Sequence, residues 1–155
     1  MNVQPSPDVL AQALAEEIAG ARAFGELLAR ERRALTDGDL EQVFSLANEK
    51  LELATRLRTQ ADRRESMLIV LGGASGRDNP YAQWPAVNSR WQLLRELLTQ
   101  AGEANRVNGL IVNARLAAIG GALAALRGTD NDLSLYARDG VSTARSVPSS
   151  ACWAA

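Results

Sequence analysis

The chain has 155 residues, enough for one domain with an ordinary core, and 46% of them are hydrophobic while only 5% are aromatic. Its 18 acidic and 17 basic residues leave a formal charge of -1, which removes the electrostatic pull that nucleic-acid binding needs. No histidine is present, which excludes His-dependent zinc sites, di-iron bundles built on Glu-x-x-His and Ser-His nucleophile pairs.

Ser6, Pro7 and Asp8 make a helix start, with Ser6 able to cap free amides and Pro7 already at helical φ. A helix to about Leu35 follows, with Leu14, Ala21, Leu28 and Leu35 recurring every seventh residue and Leu10, Ile18 and Phe24 in support. Thr36, Asp37 and Gly38 break it. Asp39 followed by Gln42 resembles a capping box for a second helix, and so short a turn makes the two helices antiparallel neighbours.

The second helix repeats Leu40, Ala47, Ala54, Ala61 and Leu68 at heptad spacing, with Phe44, Leu51 and Leu57 beside them. That spacing predicts the buried seam. Arginines at 30, 32 and 33, and at 56, 58, 63 and 64, are interleaved with Glu31, Asp62 and Glu65, the pattern of a solvated helix face rather than a phosphate stripe. Gly72 and Gly73 end this helix, and Ser75, Gly76, Asp78, Asn79 and Pro80 read as a loop. The glycines lack a following Gly-Lys-Ser/Thr and miss the dinucleotide spacing. Trp84 either folds over the end of the bundle or marks a binding surface. Trp91 reads as core.

A third helix is predicted from about Ser89 to Leu126, through Leu94, Leu97, Leu98, Ala101, Ala104, Ile111, Val112 and Ile119. At about 1.5 Å per residue it reaches roughly 57 Å, against roughly 42 Å and 48 Å for the first two, so its end is predicted to pass the first turn. Asn105, Asn108 and Asn113 interrupt its apolar pattern; Asn105 is the candidate for fixing register, and Asn113 reads as exposed. Leu116, Ile119, Leu123 and Leu126, with Ala117, Ala118, Ala122, Ala124 and Ala125, make its end apolar nearly all round. One neighbouring helix covers only a stripe, so the remainder awaits a partner, a second copy or a returning tail. The run from Leu116 to Leu126 is about half of the roughly 20 residues a membrane-crossing helix requires. Gly120 and Gly121 within it permit close approach, a kink or fraying.

The reading is therefore an all-α fold: an elongated antiparallel helical hairpin plus a long third helix over residues 1–127, and a flexible tail over 128–155. The single cysteine, Cys152, excludes an internal disulfide and has no histidine to activate it. Carboxylate pairs such as Glu16 with Glu17 have ordinary surface spacing. Neither catalysis nor a cofactor is indicated. The N-terminus carries no secretory signal pattern, which makes cytoplasmic residence the expectation.

The hairpin, the run Asn105-Arg106-Val107-Asn108-Gly109-Leu110-Ile111 and the tail Leu135-Tyr136-Ala137-Arg138-Asp139-Gly140 together resemble the FlgN family of flagellar export chaperones over nearly the whole chain. The resemblance implies a cytoplasmic, non-enzymatic protein that binds hook-filament junction (hook-associated) proteins. It would shield their interaction-prone termini and help deliver them to the type III export machinery. The family associates cargo binding with its C-terminal region. Here that implies Leu116, Ile119, Leu123 and Leu126 as an apolar docking face, with Leu135, Tyr136 and Gly140 clasping cargo. The alternative is a structural coiled coil that self-associates through its third helix.

Overall fold

The computed structural model describes residues 5–72 and 79–134, with 128–134 as backbone alone. Among the described residues three α-helices follow one another: α1 (Pro7–Asp37), α2 (Leu40–Val70) and α3 (Pro85–Ser134). Cα proximity divides the chain into two compact units, Met1–Ala114 and Arg115–Ala155.

The helix limits follow from local chemistry. Ser6 is extended and its hydroxyl accepts from the Val9 amide at 3.3 Å, with Pro7 occupying the first helical position. Gly38, at φ 80°, closes α1 by donating its amide to the Ala34 carbonyl, a left-handed conformation that a β-carbon would strain. Asp39 then caps α2 by accepting from the Gln42 amide at 2.9 Å. Leu71 and Gly72 end α2, the glycine again left-handed at φ 76°. Both ends of α3 lie beyond the predicted limits. Pro85 opens it four residues before Ser89, and it continues past Leu126 to Ser134, because Gly128 to Ser134 extend a helix already propagating and need no new nucleus.

The first unit is held by contacts that fix helix direction. Glu16 and Glu17 pair with Arg63 and Arg64, while Arg30 and Glu31 pair with Glu49 and Lys50, so α2 runs antiparallel to α1. Arg90 bonds the Ala11 carbonyl and Asn108 the Leu28 carbonyl, so α3 up to Ala114 runs parallel to α1. Leu10, Leu14, Ile18 and Ala21 of α1 form one core with Leu68 of α2, Tyr81, and Val87 and Leu94 of α3. Trp84 and Trp91 pack against it partly buried, which places Trp84 over the bundle end. A second cluster joins Leu27 and Ala34 to Leu46, with Val43 and Leu53 against it. Gly20 marks a close approach of α1 to α2, since a β-carbon there would lie 3.0 Å from Leu57 Cδ2.

The seam predicted for α1 is the buried one. For α2 the prediction fails over most of the helix. Its inward residues are Val43, Leu46, Lys50, Leu53, Leu57, Gln60, Arg64, Met67 and Leu68, whereas Leu40, Phe44, Ala47, Leu51 and Ala54 face outward. The helix carries two heptad-spaced stripes, and hydropathy selects the more apolar. Packing selects the other, because Lys50 and Arg64 find carboxylates on α1.

The register prediction also moves. Asn105 is exposed, and the buried amide is Asn108. Arg32 and Arg64 do not belong to a solvated face either, since both are drawn into partly buried hydrogen bonds.

Candidate functional site

Two clusters of polar groups lie inside the first unit. At one, the Asn108 amide donates to the Leu28 carbonyl at 2.9 Å and to Glu31 Oε2 at 2.7 Å, while its oxygen accepts from Arg32 Nε at 3.0 Å. Lys50 Nζ adds bonds of 2.9 and 3.0 Å to the same carboxylate, and Arg32 also reaches the Ala104 carbonyl. One buried amide thus uses its donors and acceptor to tie α3 to α1, and Glu31 ties both to α2.

At the other, Arg64 Nε donates to Glu17 Oε2 at 2.7 Å and Arg64 Nη1 to the Tyr81 hydroxyl. The guanidinium also lies 4.7 Å from the Trp91 ring centre, within cation-π range. Burial raises the Glu17 carboxyl above its ordinary value, with Arg64 pulling it back, and burial raises the Tyr81 phenol in the same way. Perturbed groups of this kind can mark an active centre. These are occupied in holding three segments together.

A groove of about 450 Å³ between α1 and α3 is lined by Ala21, Gly25, Ala29, Leu97 and Ala101, together with Arg22, Glu26, Gln100 and Ala104. Its walls are mostly small aliphatic side chains and carry no nucleophile. Among the described residues no group of three or more cysteine or acidic side chains is placed to hold a metal ion.

In the second unit the described side chains run from Arg115 to Arg127. Leu116, Ile119, Leu123 and Leu126 are 61%, 58%, 49% and 64% exposed, and their alternating spacing of three and four places them on one helix face. Nothing lies within 4 Å of a β-carbon built at Gly120 or Gly121, so neither glycine serves a close approach here. The remaining sequence candidates, Leu135, Tyr136 and Gly140, lie outside the described residues.

Within Pro85–Arg127, α3 contains an 18-residue window of mean hydropathy 1.7, long and apolar enough to cross a bilayer by length and composition. It is more extensive than the run from Leu116 to Leu126 because Leu110, Ile111 and Val112 lie just before Arg115. The core helix of a water-soluble protein passes the same test, but such a helix is mostly buried whereas none of this window is buried within the chain. Arg115 near the middle of the apolar stretch disfavours crossing by about 3 kcal/mol.

Among the described residues the chain is a helical scaffold with polar clamps inside its first unit and an exposed apolar helix face in its second, features of a class of proteins that bind other chains. The chain matches the FlgN protein family over residues 1–144 and belongs to that family. It is a flagellar export chaperone, of a family not known to be enzymatic, whose members bind flagellar export substrates. Among curated proteins and among solved structures, no match to the chain was found.

Proposed function

We propose that this protein is a cytoplasmic chaperone for hook-filament junction proteins, masking their termini before export and helping deliver them to the type III apparatus. One observation carries the proposal: four large aliphatic side chains, Leu116, Ile119, Leu123 and Leu126, stand between 49% and 64% exposed along one helix face. Such a face is matched by an amphipathic helix from a cargo terminus, which lays its own apolar stripe into place. Residues 128–155 complete the clasp, with Leu135, Tyr136 and Gly140 helping to hold cargo. The mechanism is masking. Cargo helices that would pair with one another bury the same residues here, and release leaves them competent to assemble.

The balanced charge and the interleaving of acids with arginines support partners other than nucleic acid. Arg115 supports a helix that meets protein rather than spanning a bilayer.

Isothermal titration with full-length and C-terminally truncated junction proteins tests the proposal. Saturable binding that disappears on cargo truncation is the expected result. Absence of binding to any folded junction protein, alongside a self-oligomer resistant to dilution, would overturn it in favour of a structural coiled coil.

A further inference from the structure

The outward stripe of α2 is a second uncovered apolar surface, and it lies wholly within the first unit. Leu40, Phe44 and Leu51 are 65%, 72% and 68% exposed, and Ala47 and Ala54 lie exposed between and beyond them. Solvent-facing positions of a helix gain nothing from a phenylalanine and two leucines in register, so such a patch marks an interface.

We propose that this stripe binds a second copy of the chain, with the two α2 helices antiparallel about a two-fold axis through Ala47. Two features select this occupant. The first is size along the stripe. An antiparallel copy sets Ala47 against its own equivalent, where small side chains let the backbones approach. Phe44 then packs on Leu51 of the other copy, and Leu40 on Ala54. Only the Leu40 layer opposes a larger residue to a smaller one, and a parallel copy would instead set Leu40 on Leu40 and Phe44 on Phe44, leaving Ala54 to face Ala54.

The second feature is charge. The exposed acids Asp37, Asp39 and Glu41 stand at the N-terminal end of the stripe, and exposed Arg58 stands at its other end, roughly 27 Å from Leu40 along the axis. The two-fold axis brings Arg58 of each copy level with the acids of the other. A parallel copy would instead place acids beside acids and Arg58 beside Arg58. Arg58 has Asp62 as its partner within α2, and the second copy adds to that pair. The isologous arrangement closes on itself and yields a dimer rather than a filament. Its short stripe puts the contact at the weak end of specific interfaces, so the dimer is reversible. This surface belongs to the first unit and the Leu116 to Leu126 face to the second, and the proposal does not depend on what that face binds.

Sedimentation velocity of the full-length chain over a wide concentration range is the test. Wild type is expected to show a reversible monomer–dimer equilibrium, and Phe44→Glu to remain monomeric over the same range with unchanged helicity. Arg58→Glu is expected to weaken the dimer about two- to fivefold at low salt, the scale of exposed ion pairs. In a Cys152→Ser background, Ala47→Cys should oxidise to a disulfide-linked dimer while Arg56→Cys, on another face, should not. Wild type that stays monomeric throughout, a dimer that survives Phe44→Glu, or cross-linking at Arg56→Cys as readily as at Ala47→Cys would each overturn the proposal.

Discussion

Glu17 and Arg64 show how much depends on a single pair of side chains. Both are largely buried, and breaking such a pair leaves the survivor's charge without compensation. Arg64→Met is therefore expected to cost about 3–5 kcal/mol at pH 7, measured by urea unfolding. The double variant Glu17→Met/Arg64→Met should recover most of that loss, because apolar groups of similar size do not need each other's charge. The pH dependence has a definite sign. Burial holds the folded Glu17 carboxyl above its ordinary 4.5, so the folded chain binds that proton more tightly than the unfolded chain. The stability this group contributes is fully present below about 4.5 and is lost as pH rises through the folded value. Glu17→Gln should flatten that decline between pH 4.5 and neutrality, and a decline equal to that of wild type would assign it to another group. Glycines in the second unit give a further residue-scale expectation. Since open space surrounds Gly120 and Gly121, replacing either with Ala should favour the helix by about 1 kcal/mol. Amide exchange across Ile119 to Leu126 should slow about fivefold for each substitution.

At the scale of the element, α2 and α3 illustrate why apolar spacing alone does not name the buried face. Helix α2 has two stripes of equal period, and the buried one contains Lys50, Gln60 and Arg64. Those residues cost free energy to bury unless partnered, and Glu31 and Glu17 supply partners for Lys50 and Arg64. In α3, Asn108 holds the axial position of the helix against α1 through its bonds to Leu28, Glu31 and Arg32. Asn108→Leu removes the amide while leaving the charged groups it served. The expected loss is about 1–3 kcal/mol, seen as a lower urea midpoint. Asn105→Leu, on an exposed position, should change the midpoint little. Equal effects of the two substitutions would show that Asn108 does not set the register.

For the whole molecule, the functional prediction concerns recognition without loss of fold. Leu123→Glu puts a charge in the middle of the uncovered face of the second unit, where little folded-state packing is lost. Cargo affinity should fall at least tenfold in titration calorimetry while circular dichroism retains most of the helicity. Truncation before Asp130 should weaken cargo binding as well, and unchanged affinity would remove residues 130–155 from the mechanism.

The sequence by itself determined the class of structure, the caps at Ser6 and Asp39, the breaks at Gly38 and Gly72, the buried seam of α1 and membership of the export-chaperone family. Each is set by local chemistry or by a pattern that admits one reading: a capping hydroxyl, a left-handed glycine, a single apolar stripe. It also singled out Leu116, Ile119, Leu123 and Leu126, because an end that is apolar all round exceeds what one neighbour can cover. Only the tertiary structure decided which stripe of α2 is buried, that Asn108 rather than Asn105 lies inside, and that Arg32 and Arg64 turn away from solvent. These depend on residues far apart in the chain, since a lysine or arginine becomes an inward residue only when a carboxylate on another helix meets it at hydrogen-bonding distance.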